Sequence, residues 1–170
     1  MVKWLIANSS RLILALVLIF SGIVKLIDPH GTEYKIEDYA LSFGVSEFLP
    51  MYAPLVLAIA LAMFEFCMGV NLLFVINRRL TSTLVLIFLT IFTPFTLYLA
   101  IENPVHDCGC FGDAIILSNW ATFWKNIVLD ALIIILWILQ KRLYHPWLTP
   151  FPSWVLTITF SLITIGMGIH

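Results

Sequence analysis

Charged side chains are scarce in this sequence: only 11% of the 170 residues are Asp, Glu, Lys or Arg, against about 25% in an average soluble domain. Apolar residues make up 61% of the chain, and the mean hydropathy is +1.01. A soluble fold of this size could not cover so much apolar surface. Cysteine is scarce as well, and three cysteines are too few for a secreted disulfide scaffold. The net charge of −1 also excludes the basic surface of a nucleic-acid-binding protein.

Long apolar runs are what the sequence has in abundance. A helix that crosses the hydrocarbon core of a bilayer needs about 20 mostly apolar residues, and these runs lack the alternation of membrane β-strands. We therefore expect an all-α integral membrane protein, with residues 1–170 forming one domain: a four-helix transmembrane bundle followed by a fifth span. The five predicted spans are Ser10–Ile27, Tyr52–Ile76, Thr81–Ile101, Trp120–Leu139 and Trp154–Ile169.

The few charges are distributed unevenly between the two ends of the predicted bundle. Eight of the ten acidic residues fall in the loops that follow the first and third spans. Six of the nine bases fall at the opposite end: Lys3, Arg11, Arg78, Arg79, Lys141 and Arg142. Because Lys and Arg favour the cytoplasmic side of a membrane, this asymmetry predicts a cytoplasmic N-terminus and external acidic loops. The expected location is the bacterial inner membrane.

The segment between the first two spans has the pattern of a short amphipathic helix over residues 33–43. Its apolar positions recur at helical spacing, and its acidic positions occupy the other side. We expect this helix to lie on the outer membrane face. Two roles remain open for it, a lid over the second external loop or a helix that only packs on lipid. The apolar positions are Ile36, Tyr39, Ala40 and Phe43.

The second external loop carries the residues with the clearest chemistry. Its segment His106–Asp113 reads HDCGCFGD, so that Cys108 and Cys110 are separated by a single glycine. The predicted orientation puts both thiols on the oxidising side of the membrane, where disulfides persist. A bridge across one residue closes too short a loop to stabilise a fold. The pattern therefore favours thiol–disulfide exchange by these two cysteines over a structural bridge.

Neighbouring residues of the loop are expected to support the pair. Gly109 and Gly112 permit backbone conformations that other residues avoid, and Phe111 can pack the loop down. Asp107 is expected to oppose thiolate formation by like-charge repulsion, as is Asp113, whereas a protonated His106 would offset that effect.

Two further interpretations of this loop remain open. Together with both cysteines, His106 and Asp113 offer mixed ligands for zinc or copper, although the spacing fits no finger pattern. We predict no metal site. The other interpretation is an inert loop packed around Phe111.

Several ionisable residues fall inside predicted spans, where charge is costly and usually faces the bundle interior, and three of them stand out. Glu65 lies near the centre of the second span and is expected to face another helix, as a proton carrier or a hydrogen-bonded anchor. Asp130 lies near the centre of the fourth span and is expected to be an anchor. Lys25, at the end of the first span, could pair with an acid of another helix or snorkel to the outer interface, and we expect it to snorkel. The face of Glu65 is shared by small residues that allow close helix approach, namely Ala58, Ala62 and Gly69.

Three segments resemble the MauE family, methylamine utilisation membrane proteins grouped with the DoxX-like proteins. Asp107–Gly112 (DCGCFG) is similar to the hallmark motif of that family, Ser21–Pro29 (SGIVKLIDP) resembles the end of its first helix, and Glu65 with Gly69 resembles its second-helix pattern. The resemblance covers about residues 10–140. It implies a helical bundle that takes part in the redox maturation of envelope proteins, with Cys108 and Cys110 as the redox pair. For MauE itself, it implies processing of the small subunit of methylamine dehydrogenase or disulfide formation in that subunit.

Two functions from different classes follow from these observations. The first is a thiol–disulfide exchange protein that acts on an envelope protein or a thioredoxin-like partner, with a quinone near Glu65 as a conceivable electron acceptor. The second is a non-catalytic membrane scaffold or chaperone that holds an envelope partner through segment 33–43 and loop 102–119. A small transporter with Glu65 and Asp130 along its path is less favoured, because the five spans show no inverted repeat.

Overall fold

A computed structural model describes residues 2–105 and 107–143 of the chain. The fifth predicted span, Trp154–Ile169, and His106 lie outside the described residues. The elements in order are α1 (Val2–Ile27), α2 (Pro29–Ser42), a 3-10 turn (Ser46–Phe48), α3 (Ala53–Leu73), α4 (Arg78–Glu102), the extended segment β1 (Cys110–Asp113), α5 (Asn119–Leu139) and a 3-10 turn (Gln140–Arg142).

Four of the helices, α1, α3, α4 and α5, are long and apolar enough to cross a membrane. This confirms the predicted all-α membrane fold for the described part of the chain. Helix α1 begins at Val2, well before the predicted start of the span. Helix α3 ends at Leu73, so the prediction that this span continues to Ile76 was wrong. The cause is a tight turn in which Val75 and Asn77 adopt positive φ angles of 58° and 40°, which no helix can contain.

Helices α1 and α3 pack with their backbones in close contact. A Cβ atom added to Gly22 would lie 2.7 Å from the backbone nitrogen of Phe66, and one added to Gly69 would lie 2.8 Å from that of Ile19. Ala58 and Ala62 on the same face of α3 are fully buried. The predicted small-residue face is therefore confirmed as the surface that lets the two helices approach.

Helices α4 and α5 are joined by polar side chains in place of small ones. Thr93 Oγ1 donates to Asp130 Oδ2 at 2.6 Å, and Asn126 Nδ2 donates to Thr96 Oγ1 at 3.2 Å. Near the end of α4, Asn119 Nδ2 donates to Asn103 Oδ1 at 2.8 Å. Hydrogen bonds between helices satisfy groups that the hydrocarbon core would leave unpaired. Asp130 makes the kind of interhelical bond that the expected anchor role requires.

Helix α2 covers the end of the bundle that carries the acidic loops. It begins at Pro29, four residues before the predicted segment, because the Asp28 side chain caps it by accepting a hydrogen bond from Gly31 N at 3.1 Å. Three aromatic contacts hold its C-terminal part and the following Phe43 against α4. Tyr39 lies edge-on to Phe95 with a centroid distance of 5.3 Å, and Phe43 stacks on Tyr98 at 5.5 Å. The predicted helix is confirmed, and it packs on protein.

The close approach of α1 and α3 generates a prediction. Replacing Gly69 by Leu should destabilise the protein by about 1–3 kcal/mol or more, because the new side chain must push α1 away. Ala60 lies on the exposed side of α3, so Ala60→Leu is a control that adds similar bulk without an opposing helix. Thermal unfolding of both variants in the same detergent measures the difference. Equal stability of the two variants would contradict the packing.

Candidate functional site

The cysteine loop forms a tight turn at the end of the bundle that α2 covers. Cys108 and Cys110 are joined as a disulfide, with their Cα atoms 5.4 Å apart. Gly109 and Gly112 have φ angles of 64° and 54°, in the left-handed region that favours glycine. The turn is closed by a hydrogen bond from Gly112 N to Gly109 O at 3.0 Å. The two glycines thus provide the conformations expected from the sequence.

The two sulfur-bearing residues differ in their access to solvent. Cys108 is 6% exposed and packs against Leu99 and Val105, whereas Cys110 is partly exposed. Cys110 is therefore the more accessible of the two residues. Both positions are fixed by contacts to α2 above and to α1 below.

Helix α2 lies directly over the turn. Lys35 Nζ pairs with Asp107 Oδ1 at 2.5 Å, and Tyr39 Oη donates to Cys108 O at 2.8 Å. A Cβ atom on Gly109 would lie 2.8 Å from Lys35 Cγ, which shows how closely the lysine stem crosses the turn. These contacts fit the lid role of this segment. The ion pair also neutralises Asp107, which weakens the repulsion of thiolates that the sequence suggested.

Tyr39 stays a hydrogen-bond donor over the physiological pH range. Burial raises the pKa of its phenol well above the usual value, and the negative charges of Asp107 and Asp38 raise it further. A neutral phenol retains its proton for the carbonyl oxygen of Cys108. The contact between α2 and the disulfide is therefore insensitive to pH in this range.

A buried ion pair lies on the other side of the turn, inside the bundle. Lys25 Nζ donates to Glu65 Oε1 at 2.8 Å and to Glu65 Oε2 at 2.7 Å. Lys25 is 2% exposed and Glu65 is 4% exposed. The prediction that Glu65 faces another helix is confirmed. The prediction that Lys25 snorkels was wrong, because Glu65 lies within reach one helix away and satisfies the ammonium group internally.

Ser21 connects this ion pair to the cysteine loop. Its hydroxyl accepts a hydrogen bond from Lys25 Nζ at 2.9 Å. Its oxygen also lies 2.6 Å from Glu65 Oε2 and 2.7 Å from Cys110 O. One hydroxyl proton serves one acceptor at a time, so the carboxylate and the carbonyl compete for it. Ser21 thereby connects Glu65 to the backbone of Cys110.

A second lysine approaches the loop from α5. Lys125 Nζ lies 4.4 Å from the ring centroid of Phe111. The same ring also packs edge-on with Phe20, with a centroid distance of 5.6 Å. Phe111 is therefore clamped between α1 and α5. A cation over an aromatic face is stabilised by the ring quadrupole.

A small cavity of about 30 Å³ lies between these groups, with Ser21, Glu65, Cys110 and Lys125 among its lining residues. It has room for a water molecule. This volume is too small for a quinone ring, so this cavity does not provide the acceptor site that the sequence left open beside Glu65. Asp130 does not line this cavity.

The sequence missed four residues that complete the site. Ser21 precedes Lys25 by one helical turn, a spacing that puts the two on one face. Lys35 is the one base in a segment of acidic residues, and Lys125 is the one base inside the fourth predicted span. In both cases the single base was a sequence signal that could have identified the residue. No sequence signal indicated that the hydroxyl of Tyr39 contacts the loop, because the sequence pattern places its ring on the apolar face of the helix.

The metal alternative relied on His106 and Asp113, whose side chains lie outside the described ones. Within the described part of the chain, no group of three or more His, Cys, Asp and Glu side chains lies close enough to hold a metal ion. The alternative therefore gains no support from the described residues.

The buried ion pair generates a prediction about stability. Glu65→Gln should destabilise the protein by roughly 3–5 kcal/mol, because it leaves the ammonium group of Lys25 buried without a counter-ion. Adding Lys25→Met should restore much of the loss. Glu47→Gln, at an exposed position of the same end, is the control and should change little. Thermal unfolding in one detergent compares the four proteins, and a double variant no more stable than Glu65→Gln would contradict the pairing.

Comparison with known proteins gives one informative match. No curated protein and no solved structure matches the chain. The sequence profile of the family described as methylamine utilisation protein MauE matches residues 3–139, a range that contains the disulfide, the ion pair and nearly all of the four long helices. This match spans most of the chain, which therefore belongs to the MauE family.

Proposed function

We propose that this membrane protein exchanges disulfides with envelope proteins through Cys108 and Cys110. The observation that carries the proposal is the disulfide itself, placed in a glycine-shaped turn at one end of the bundle with Cys110 partly exposed. Such a bridge closes a one-residue loop and so adds little stability to the fold. A bridge with little structural value at an accessible place suits exchange chemistry.

The proposed reaction proceeds by two thiolate attacks. A thiolate of the partner attacks Cys110 Sγ, which forms a mixed disulfide and releases Cys108 as a thiolate. A second thiolate of the partner then attacks its own sulfur in the mixed disulfide and releases Cys110. The partner dithiol loses two electrons and two protons, and the cysteine pair gains them. The reverse sequence reduces a partner disulfide with the same balance.

Nearby cations support the release of thiolates. A positive charge close to a cysteine favours its thiolate form. Lys35 crosses the turn at Gly109, between the two cysteines, and Lys125 lines the same cavity as Cys110. Among the charged side chains that face this cavity, Glu65 is already paired with Lys25. Lys35 is likewise paired with Asp107, so that among the described side chains Lys125 is the cation left to favour a thiolate beside the turn.

The orientation of the protein is part of the proposal. The acidic end, with the disulfide, faces the periplasm or exterior, and the basic end faces the cytoplasm of a bacterial inner membrane. The exterior supplies the oxidising conditions in which a disulfide persists. By its family, the protein would act in methylamine utilisation, on an envelope protein such as the small subunit of methylamine dehydrogenase, or with a thioredoxin-like partner.

A scaffold function remains the second candidate because α2 covers the turn. The buried state of Cys108 and the contacts of Lys35 and Tyr39 favour a loop that is held in place. A scaffold would bind its envelope partner on α2 and the loop, with no reaction at sulfur. Trapping of a mixed disulfide distinguishes the two functions.

The unequal exposure of the two cysteines predicts that the two Cys→Ser variants trap unequal amounts of the partner. In Cys108→Ser the thiolate of Cys110 can attack a partner disulfide and form a mixed disulfide that no second thiol of the pair resolves. This variant should hold at least about tenfold more partner than Cys110→Ser, since attack depends on access. Non-reducing gels of alkylated membranes, followed by mass spectrometry of the linked protein, measure both yields.

The third cysteine provides the control for this experiment. Cys67 lies within α3, and Cys67→Ser should leave the intramolecular disulfide and the partner yield unchanged. Two results together would refute exchange and leave the scaffold function. Neither Cys108→Ser nor Cys110→Ser would form a reducible adduct, and the variant with both substitutions would still oxidise the partner.

The proposed orientation predicts the labelling of introduced cysteines. In a background in which the three native cysteines are replaced by Ser, Glu47→Cys should react with a membrane-impermeant maleimide in intact spheroplasts. Lys3→Cys should react only after the membrane is permeabilised. Both positions are exposed and lie at opposite ends of the bundle, so exposure alone does not explain a difference. The reverse pattern would overturn the orientation.

A further inference from the structure

The end of the bundle opposite the disulfide contains a cavity that the redox chemistry does not use. Its volume is about 560 Å³, and it lies where α4 begins and α5 ends. The residues that line it are mainly basic, aromatic or amide-bearing: Arg78, Arg79, Trp137, Ile138, Gln140 and Lys141. Three cations thus face one cavity.

Hydrogen bonds between the two helices fix the walls of this cavity. Trp137 Nε1 donates to Thr83 Oγ1 at 3.1 Å, and Ser82 Oγ donates to Gln140 Oε1 at 3.3 Å. Both bonds join the first turns of α4 to the end of α5. The indole and the amide are therefore held in position, and the cavity is a built feature of the bundle.

The three cations have no acidic partner at this end. All ten acidic residues of the sequence lie in the loops of the opposite end or inside the spans. Within residues 2–105 and 107–143, none of the ion pairs includes Arg78, Arg79 or Lys141. Three like charges around one cavity repel each other, so an anion bound among them relieves that repulsion.

We propose that this cavity binds the phosphodiester headgroup of an anionic phospholipid. Guanidinium groups donate paired hydrogen bonds to phosphate oxygens, and Lys141 adds a point charge. Trp137 provides an amphipathic ring at the level where headgroups lie. Basic cavities between membrane helices are typical sites for acidic lipids.

The surroundings of the cavity favour a lipid over a free phosphate ion. Ile138, in its wall, is 65% exposed, and Ile134, one turn deeper into the span, is 47% exposed. These side chains form an apolar path from the cavity toward the membrane interior, along α5. An acyl chain can follow this path while its headgroup stays among the cations.

The test measures binding of lipids to the full-length protein by native mass spectrometry in detergent. Phosphatidylglycerol should bind at least about tenfold more tightly than phosphatidylcholine, whose headgroup has no net charge. Arg79→Gln and, separately, Lys141→Gln should each lose most of this preference, because each removes a charge-assisted contact. Lys3→Gln is the matched control: it removes one exposed charge from the same end, outside the cavity, and should retain the preference.

Further outcomes decide against the proposal. Equal binding of the two lipids, or an equal loss in Lys3→Gln and Arg79→Gln, would show attraction by net charge without a site. Complete displacement of phosphatidylglycerol by an equal concentration of glycerol phosphate would show a phosphate site without lipid recognition, and would overturn the lipid assignment. Arg79→Lys keeps the positive charge but loses the paired hydrogen bonds that a guanidinium group donates to phosphate oxygens. It should bind more weakly than the wild type and more tightly than Arg79→Gln, and an Arg79→Lys affinity equal to that of Arg79→Gln would contradict the proposal.

Discussion

The ion pair of Lys25 and Glu65 is the interaction on which the functional end of this protein depends. Two charges inside a membrane-spanning bundle are costly unless each is fully satisfied. Here both carboxylate oxygens accept from the ammonium group, and Ser21 satisfies part of the remainder. Such contacts require α1 and α3 to lie very close together, and the small residues of both helices allow that approach. The pair in turn fixes Ser21 beneath the carbonyl of Cys110, so the cysteine turn is attached to the bundle through it.

The sequence was sufficient for the parts of the fold that depend on composition and periodicity. Uninterrupted apolar runs predicted the four long helices, and the spacing of small residues predicted the buried face of Glu65. It was insufficient where the outcome depends on what a neighbouring helix offers at the same depth. Lys25 could reach either the interface or a carboxylate, and only the relative height of α1 and α3 decides between them. The predicted position of the end of α3 was also wrong, because Val75 carries no sequence signal for a positive φ.

The site residues also divide into those that a local sequence signal predicts and those that depend on how the helices pack. The Cys-Gly-Cys turn was evident because both the cysteines and the glycines are local signals. Lys35 and Tyr39 reach the turn from α2, which is distant in sequence, and Lys125 reaches it from within the next helix, α5, so their contribution is a property of the packed bundle. The neutralisation of Asp107 by Lys35 is an example. It changes the electrostatic environment of the thiols from the one that the local sequence suggests.

The interactions around the disulfide differ in strength on its two sides, and this difference bears on how a covered disulfide can react. Below the turn lie a buried ion pair and closely packed helices, which do not separate without unfolding the bundle. Above it, α2 is held by one partly exposed ion pair, one hydrogen bond, three aromatic contacts and the packing of four buried residues, Pro29, Gly31, Thr32 and Ala40. Contacts of these kinds contribute roughly 0.5–1.5 kcal/mol each. Opening of α2 alone leaves the buried ion pair and the packing of α1 on α3 intact, so it costs less than global unfolding and would expose the turn in place.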